Sequence, residues 1–159
     1  MERYFQEQVA RIDRLMEIVR APDQDSLTGR LQFEDVLIFA CQCMWHLRDW
    51  ILNDPEFRAK DKNGLRDDIH KERCLRICAD LANGSKHLVL AHPKTSVSLS
   101  DRQGIHLETS KGIFQVKYYV RSSDGSDPYD GVEIREFLNE CRTTWQRIID
   151  KHHLSEADL

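Results

Sequence analysis

The chain reads as a mainly α protein with a small β part: a four-helix bundle whose third connection is expanded into a three-stranded antiparallel β-meander. Three observations lead there. Four segments repeat apolar residues at spacings of three and four, and one stretch between the third and fourth switches to a period of two. The 159 residues suffice for one core without disulfides or a structural metal. Residues 1–159 are therefore expected to form a single helical-bundle domain, with the meander inserted at about 95–121.

Phe5, Val9, Ile12, Met16 and Val19 place one apolar stripe on a first helix from about Glu2 to Arg20, which Pro22 helps to end. Asp23 through Gly29 is a polar turn in which Asp25 or Thr28 supplies a cap for the second helix. From Leu31 to Leu52, Phe33, Val36, Leu37, Ala40, Met44, Leu47 and Ile51 form one face, while Ile38, Cys41, Trp45 and Leu52 cover another. Apolar on most sides, this second helix should be central. Asn53-Asp54-Pro55 stops it, because a proline disfavours helical geometry at the residue before it. Residues 56–64 are charged and loop-like, and a third helix starts near Leu65, turning Ile69, Cys74, Ile77, Cys78, Leu81 and Ala82 to the core.

Beyond Pro93, Val97 and Leu99, then Ile105 and Leu107, then Phe114, Val116, Tyr118 and Val120 alternate with other residues and read as three strands. Asp101-Arg102-Gln103-Gly104 and Ser110-Lys111-Gly112 supply the two reversals of a meander. Tyr118 and Tyr119 then point to opposite faces, one onto the bundle and one toward solvent. After a polar loop from Arg121 to Gly131, the stripe Ile134, Phe137, Leu138, Cys141, Trp145, Ile148 and Ile149 makes the last helix. It reads as frayed near His152 and His153, where positive charge suits the helix dipole.

Charged residues make up 31% and hydrophobic ones 40%, which excludes a disordered or membrane-embedded chain. Glu2, Arg3, Glu7 and Arg11 break up the opening residues, so no segment of signal-peptide shape follows Met1; a cytoplasmic protein with no membrane partner is expected. The five cysteines are odd in number and lack framework spacing, as reduced core thiols do. A net charge of −4 argues against binding nucleic acid through bulk charge and leaves a local basic patch as the route. No glycine-rich phosphate loop, Ser-His-Asp order or HExxH motif is present, and no cofactor is expected.

The chemistry concentrates in Asp80-Leu81-Ala82-Asn83-Gly84-Ser85-Lys86-His87, read together with Trp45-His46-Leu47-Arg48-Asp49-Trp50. If the third helix runs through Gly84, then Arg76, Asp80, Asn83 and His87 share one face. His87 and Asn83 then suit proton transfer or phosphate binding: imidazole titrates near neutral pH, and a carboxamide orients it or holds a substrate oxygen. The alternative is that Gly84 caps the helix in a left-handed conformation and His87 opens an extended segment with Leu88, Val89 and Leu90. On the second helix, His46 and Asp49 are neighbours. His46 is either a second catalytic imidazole facing the third helix, or is hydrogen-bonded to Asp80, Asn83 or a backbone carbonyl so as to lock the register of two helices. Trp45 and Trp50 read as core fillers.

Cys74 and Cys78 are one turn apart and Cys41 and Cys43 two residues apart, without the knuckle spacing of structural zinc sites, so no metal is expected. His46, His87 and His92 could gather only through the fold, which keeps a metal- or small-molecule-binding bundle as a third reading.

A helical bundle ending in Asn83-Gly84-Ser85-Lys86-His87 resembles the HEPN superfamily, whose last motif helix carries arginine, a polar residue and then histidine. The Asn-x-x-x-His half is matched by Asn83 and His87; Ala82 stands where the arginine is expected. The Trp-His-Leu-x-Asp-Trp and Asp-x-Ala-Asn-x-x-Lys-His pairing is also similar to a group of poorly characterised bacterial proteins. The resemblance implies a homodimer that brings two His87 faces around an RNA backbone, with metal-independent cleavage in a toxin or phage-defence setting. Arg76 or Lys86 would then take the place of the missing arginine. The other reading of the same face is a catalytically silent dimer or scaffold for a protein partner.

Overall fold

A computed structural model of the chain describes residues 4–20, 27–55, 61–84, 97–100, 106–108, 113–115 and 118–154. Among the described residues, five helices and four short strands come in the order α1 (Phe5–Arg20), α2 (Leu27–Leu52), α3 (Lys62–Lys71), α4 (Arg73–Gly84), β1 (Val97–Ser100), β2 (His106–Glu108), β3 (Ile113–Gln115), β4 (Tyr119–Ser122) and α5 (Ile134–Lys151). Among the described residues no helix is long and apolar enough to cross a membrane.

The stripes read from periodicity are the buried ones. Ile12, Met16 and Val19 of α1, Phe33, Leu37, Met44 and Ile51 of α2, and Phe137, Cys141 and Trp145 of α5 lie in one core. α1 and α2 run antiparallel: Gln8 of α1 donates to the Cys43 carbonyl of α2 at 3.0 Å, and Asp54, just past α2, accepts from the Phe5 backbone N–H at 2.7 Å. That carboxylate answers one of the orphan donors of the first turn of α1. α5 lies along α1 through Arg142, which donates to Asp13 at 2.6 and 3.2 Å, and through Arg135, which donates to the Val19 carbonyl at 2.8 Å.

Two parts of the expected architecture are overturned. The bundle has five helices, not four, because the expected third helix breaks at Glu72, whose backbone is extended at φ −75 and ψ 111. The cause lies in the phase of the apolar residues. In one uninterrupted helix Leu65 and Cys74 would stand about 180° apart. Leu65 and Ile69 are nevertheless buried, as are Cys74, Ile77, Cys78 and Leu81. Breaking the helix lets both stripes face the same core. α3 is started by Asp61, whose carboxylate accepts from the Gly64 N–H at 2.8 Å.

The three-stranded meander is also absent. β1 pairs antiparallel with β4, Val97 opposite Ser122 and Ser100 opposite Tyr119, while among the described residues β2 pairs with β3 alone, His106 opposite Gln115. Two separate two-stranded ladders result, and the single third strand expected from Phe114 to Val120 is divided between β3 and β4. Five residues separate β1 from β2 but three separate β3 from β4, so the two ladders do not share a register. Alternation assigns faces to a strand but not neighbours, which is why the pattern alone suggested a meander. The reversal expected at Asp101–Gly104 lies outside the described residues, but β1 takes β4, not β2, as its partner. Within β4 the alternation holds: Tyr118 and Val120 are buried, whereas Tyr119 is half-exposed beneath the Arg121 guanidinium. The second edge of β4 is taken by the chain entering α5. Val120 N–H donates to the Val132 carbonyl at 3.0 Å, and Gly131, at φ +81, donates to the Val120 carbonyl at 2.8 Å.

The end of α5 is not frayed. His153 adopts φ 52, the left-handed conformation, and its N–H donates to the Asp150 carbonyl at 3.1 Å while that of Leu154 donates to Ile149 at 3.0 Å. These are the two bonds of a Schellman termination, with Leu154 buried as its apolar follower.

Candidate functional site

α4 is the helix around which the polar candidates gather. It buries Cys74, Leu75, Ile77, Cys78, Leu81 and Ala82, and the remaining edge carries Arg76, Asp80 and Asn83 at i, i+4 and i+7, one continuous line along a single helix. Helical geometry persists to Gly84, which does not take the left-handed conformation and has open space where a side chain would begin. The expectation that Gly84 caps the helix in that conformation is therefore corrected. Lys86 and His87 lie outside the described residues, as does His92.

Along that edge the three residues differ in environment. Asp80 is 3% exposed and engaged rather than free. Asn83 is half-buried. Arg76 is half-buried too, and its Nε is enclosed without a hydrogen-bond acceptor among the described residues. Neighbouring cations are answered. Arg73, one turn earlier, donates through Nε to Asp127 at 2.8 Å, and Arg147 of α5 pairs with Glu72 at 2.9 Å. A guanidinium presents five donors in a rigid fork suited to carboxylate or phosphate, and a buried N–H with nothing to bond to costs about 1–3 kcal/mol.

The two candidates of α2 do not form a pair. Asp49 is exposed and bound by its neighbour Arg48, through Nε at 3.0 Å and Nη2 at 2.9 Å. That guanidinium in turn lies over the Trp45 ring, 4.4 Å from its centroid. His46 is half-buried, and neither Asp49, Asp80 nor Asn83 is hydrogen-bonded to it. The hydrogen bond that would lock two helices through His46 is thus not made to Asp80 or Asn83. Trp45 is buried and Trp50 half-buried against the core, as fillers should be.

Periodicity read the cysteines singly, and the fold brings four of them together. Cys41 of α2, Cys74 and Cys78 of α4 and Cys141 of α5 are free and buried. Cys78 Sγ lies 3.5 Å from Cys141 Sγ, and Cys74 Sγ lies 3.6 Å from Thr144 Oγ1. Hydrogen bonds from Cys141 and Cys41 hold the Cys78 thiol below its ordinary range against the opposing effect of burial. Burial first, then the Cys74 and Cys78 thiols, push Cys141 well above its own. Cys43 stands apart, raised chiefly by burial, with Gln8 and Arg11 opposing. The signal that could have found this cluster was the stripe itself, since each of the four cysteines lies on the core face of its helix. Among the described residues, no three of His, Cys, Asp and Glu are placed to hold a metal ion. Compared with family models, with curated proteins and with solved structures, the chain matches none of them.

Proposed function

We propose that the polar edge of α4 is a phosphate-binding face that acts on RNA, with Arg76 as the anion-binding residue and His87 as the proton-transfer group. The observation that carries this reading is the enclosed Arg76 Nε without an acceptor, on the same helix edge as Asp80 and Asn83. With Arg76 only half-buried, its guanidinium would meet an RNA phosphate through donors other than the enclosed Nε, and a guanidinium suits charge building up at phosphorus during attack by a 2′-hydroxyl. Asn83 would hold a non-bridging oxygen or orient the imidazole, His87 would take the 2′-hydroxyl proton, and Lys86 would add charge from the flank. Asp80, beside Arg76 on the same edge, would fix the orientation of the guanidinium or of His87. With a net charge of −4, affinity would come from this local site rather than from the field of the whole chain.

The test is incubation of the purified chain with a mixed structured RNA pool, with and without chelator, beside Arg76→Ala and His87→Ala variants whose melting curves match the parent. Metal-independent cleavage lost in both variants, with RNA affinity falling about tenfold in Arg76→Ala, is the expected result. Equal binding by all three proteins and no cleavage would remove the RNA reading and leave the same face as a protein-docking surface.

A further inference from the structure

Four thiols from three helices make one contiguous group inside this core, and nothing in the proposed RNA chemistry uses them. Cys78 is the hub, with the thiols of Cys141 of α5 and Cys41 of α2 both in contact with it. The Cys78 and Cys141 sulfurs are 3.5 Å apart and come from segments 63 residues distant in sequence. Cys74 also meets the Cys141 thiol, besides lying 3.6 Å from Thr144 Oγ1, so it is the competing partner for Cys141; with Cys78 it shares a helix one turn away, where parallel side chains are poorly placed to bridge. We propose that Cys78 and Cys141 are an oxidative modification site, at which a peroxide converts the two thiols into a disulfide tying α4 to α5.

The step balances with the peroxide as its only co-reactant. One sulfur attacks the peroxide O–O bond and becomes a sulfenic acid as the first water leaves. The second sulfur attacks the sulfenic sulfur, the S–O bond breaks, and a second water departs with the remaining proton. Two thiols and one hydrogen peroxide give one disulfide and two waters, with two electrons moving from sulfur to oxygen. The sulfurs must close by about 1.5 Å to reach bonding distance, a side-chain rotation rather than a rearrangement of helices. Both residues are 0% exposed, so the oxidant enters during opening of the α4–α5 contact, and the rate should rise in urea concentrations well below the unfolding midpoint. The bond would fasten the helix that carries Arg76, Asp80 and Asn83 to the one that closes the core.

Trypsin separates the four thiols by sequence. Cys78 falls in the peptide Ile77–Lys86, Cys141 in Glu136–Arg142, Cys74 in Cys74–Arg76, and Cys41 shares Leu31–Arg48 with Cys43. The full chain is treated with hydrogen peroxide at low protein concentration and mapped without reduction. The expected result is an intact mass lower by about 2 Da and one linked pair, Ile77–Lys86 with Glu136–Arg142. Dithiothreitol should reverse it, and the cross-linked protein should melt at a higher temperature than the reduced one. A Cys74→Ser variant should cross-link as the parent does and a Cys141→Ser variant should not. A dominant link through Leu31–Arg48 or Cys74–Arg76, oxygen adducts without a link, or thiols unchanged by peroxide would each overturn the proposal. The map of the unsubstituted chain decides this whether or not the variants fold, and it does not depend on RNA activity.

Discussion

Asp127 is buried in a segment that is otherwise polar loop, and each of its oxygens is assigned. Oδ2 takes the Arg73 guanidinium through both Nε, at 2.8 Å, and Nη2, while Oδ1 takes the Tyr129 backbone N–H at 2.9 Å. Burial alone would raise its carboxyl, but Arg73 and the Tyr129 amide outweigh that and hold it below the ordinary range. The residue thus joins the start of α4 to the turn that leads into α5. Asp127→Ala is expected to cost about 2 kcal/mol, the scale of a charge-assisted buried hydrogen bond, read as a lower urea midpoint with unchanged slope. Nothing local in Ser126-Asp127-Pro128 announces this, because the partner lies 54 residues away. Arg76 is the converse. Its place beside Asp80 and Asn83 comes from spacing on one helix and was legible, whereas its unanswered Nε depends on what the fold puts around it.

Among the elements, the break between α3 and α4 was written in the sequence as a phase conflict between Leu65 and Cys74, and only the assumption of one long helix hid it. α3 is short and polar, and beyond the burial of Leu65 and Ile69 in the shared core it is tied to α5 by charge. Asp68 accepts from Lys151 at 2.6 Å and meets the His152 ring at 2.9 Å, with Lys71 at 3.7 Å on its own helix. Lys151 first, then His152, lower its carboxyl to about 2. An unfolded aspartate titrates near about 3.9, so the folded state binds its proton more weakly. The stabilisation is complete above about pH 4 and is lost as pH falls toward about 2. Asp68→Asn should therefore flatten the acid limb of the melting temperature below about pH 4. An acid limb of the same steepness in both proteins would count against this tie. His152 and His153 looked like a loose end because side-chain type alone cannot reveal a left-handed residue or a partner on α3.

At the scale of the whole molecule, the helices were legible because each buries one stripe with a period of its own, and the β part was not, because short strands leave their partners to be chosen by tertiary context. Phe33, Leu37, Phe137 and Trp145 could be assigned to a core from spacing, and that core is the one observed. The convergence of Cys41, Cys74, Cys78 and Cys141 needed the mutual rotation of α2, α4 and α5, which no single-helix pattern contains. The candidate site divides in the same way: the line Arg76–Asp80–Asn83 is a property of one helix, but the environment of each side chain is a property of the assembly.

The bond from the Phe5 N–H to Asp54 joins the first turn of α1 to the chain just beyond α2. In an ordinary helix the opening amides have no internal partner and exchange with solvent almost as fast as a coil. Here the Phe5 amide should instead exchange at a rate set by separation of the α1–α2 hairpin, in step with amides deep in α2, although it is the first residue of its helix. Deuterium uptake at that amide should rise to the unprotected rate in Asp54→Ala while mid-helix amides change far less. Fraying of α1 would then be governed from 49 residues away, by a side chain in a different connection.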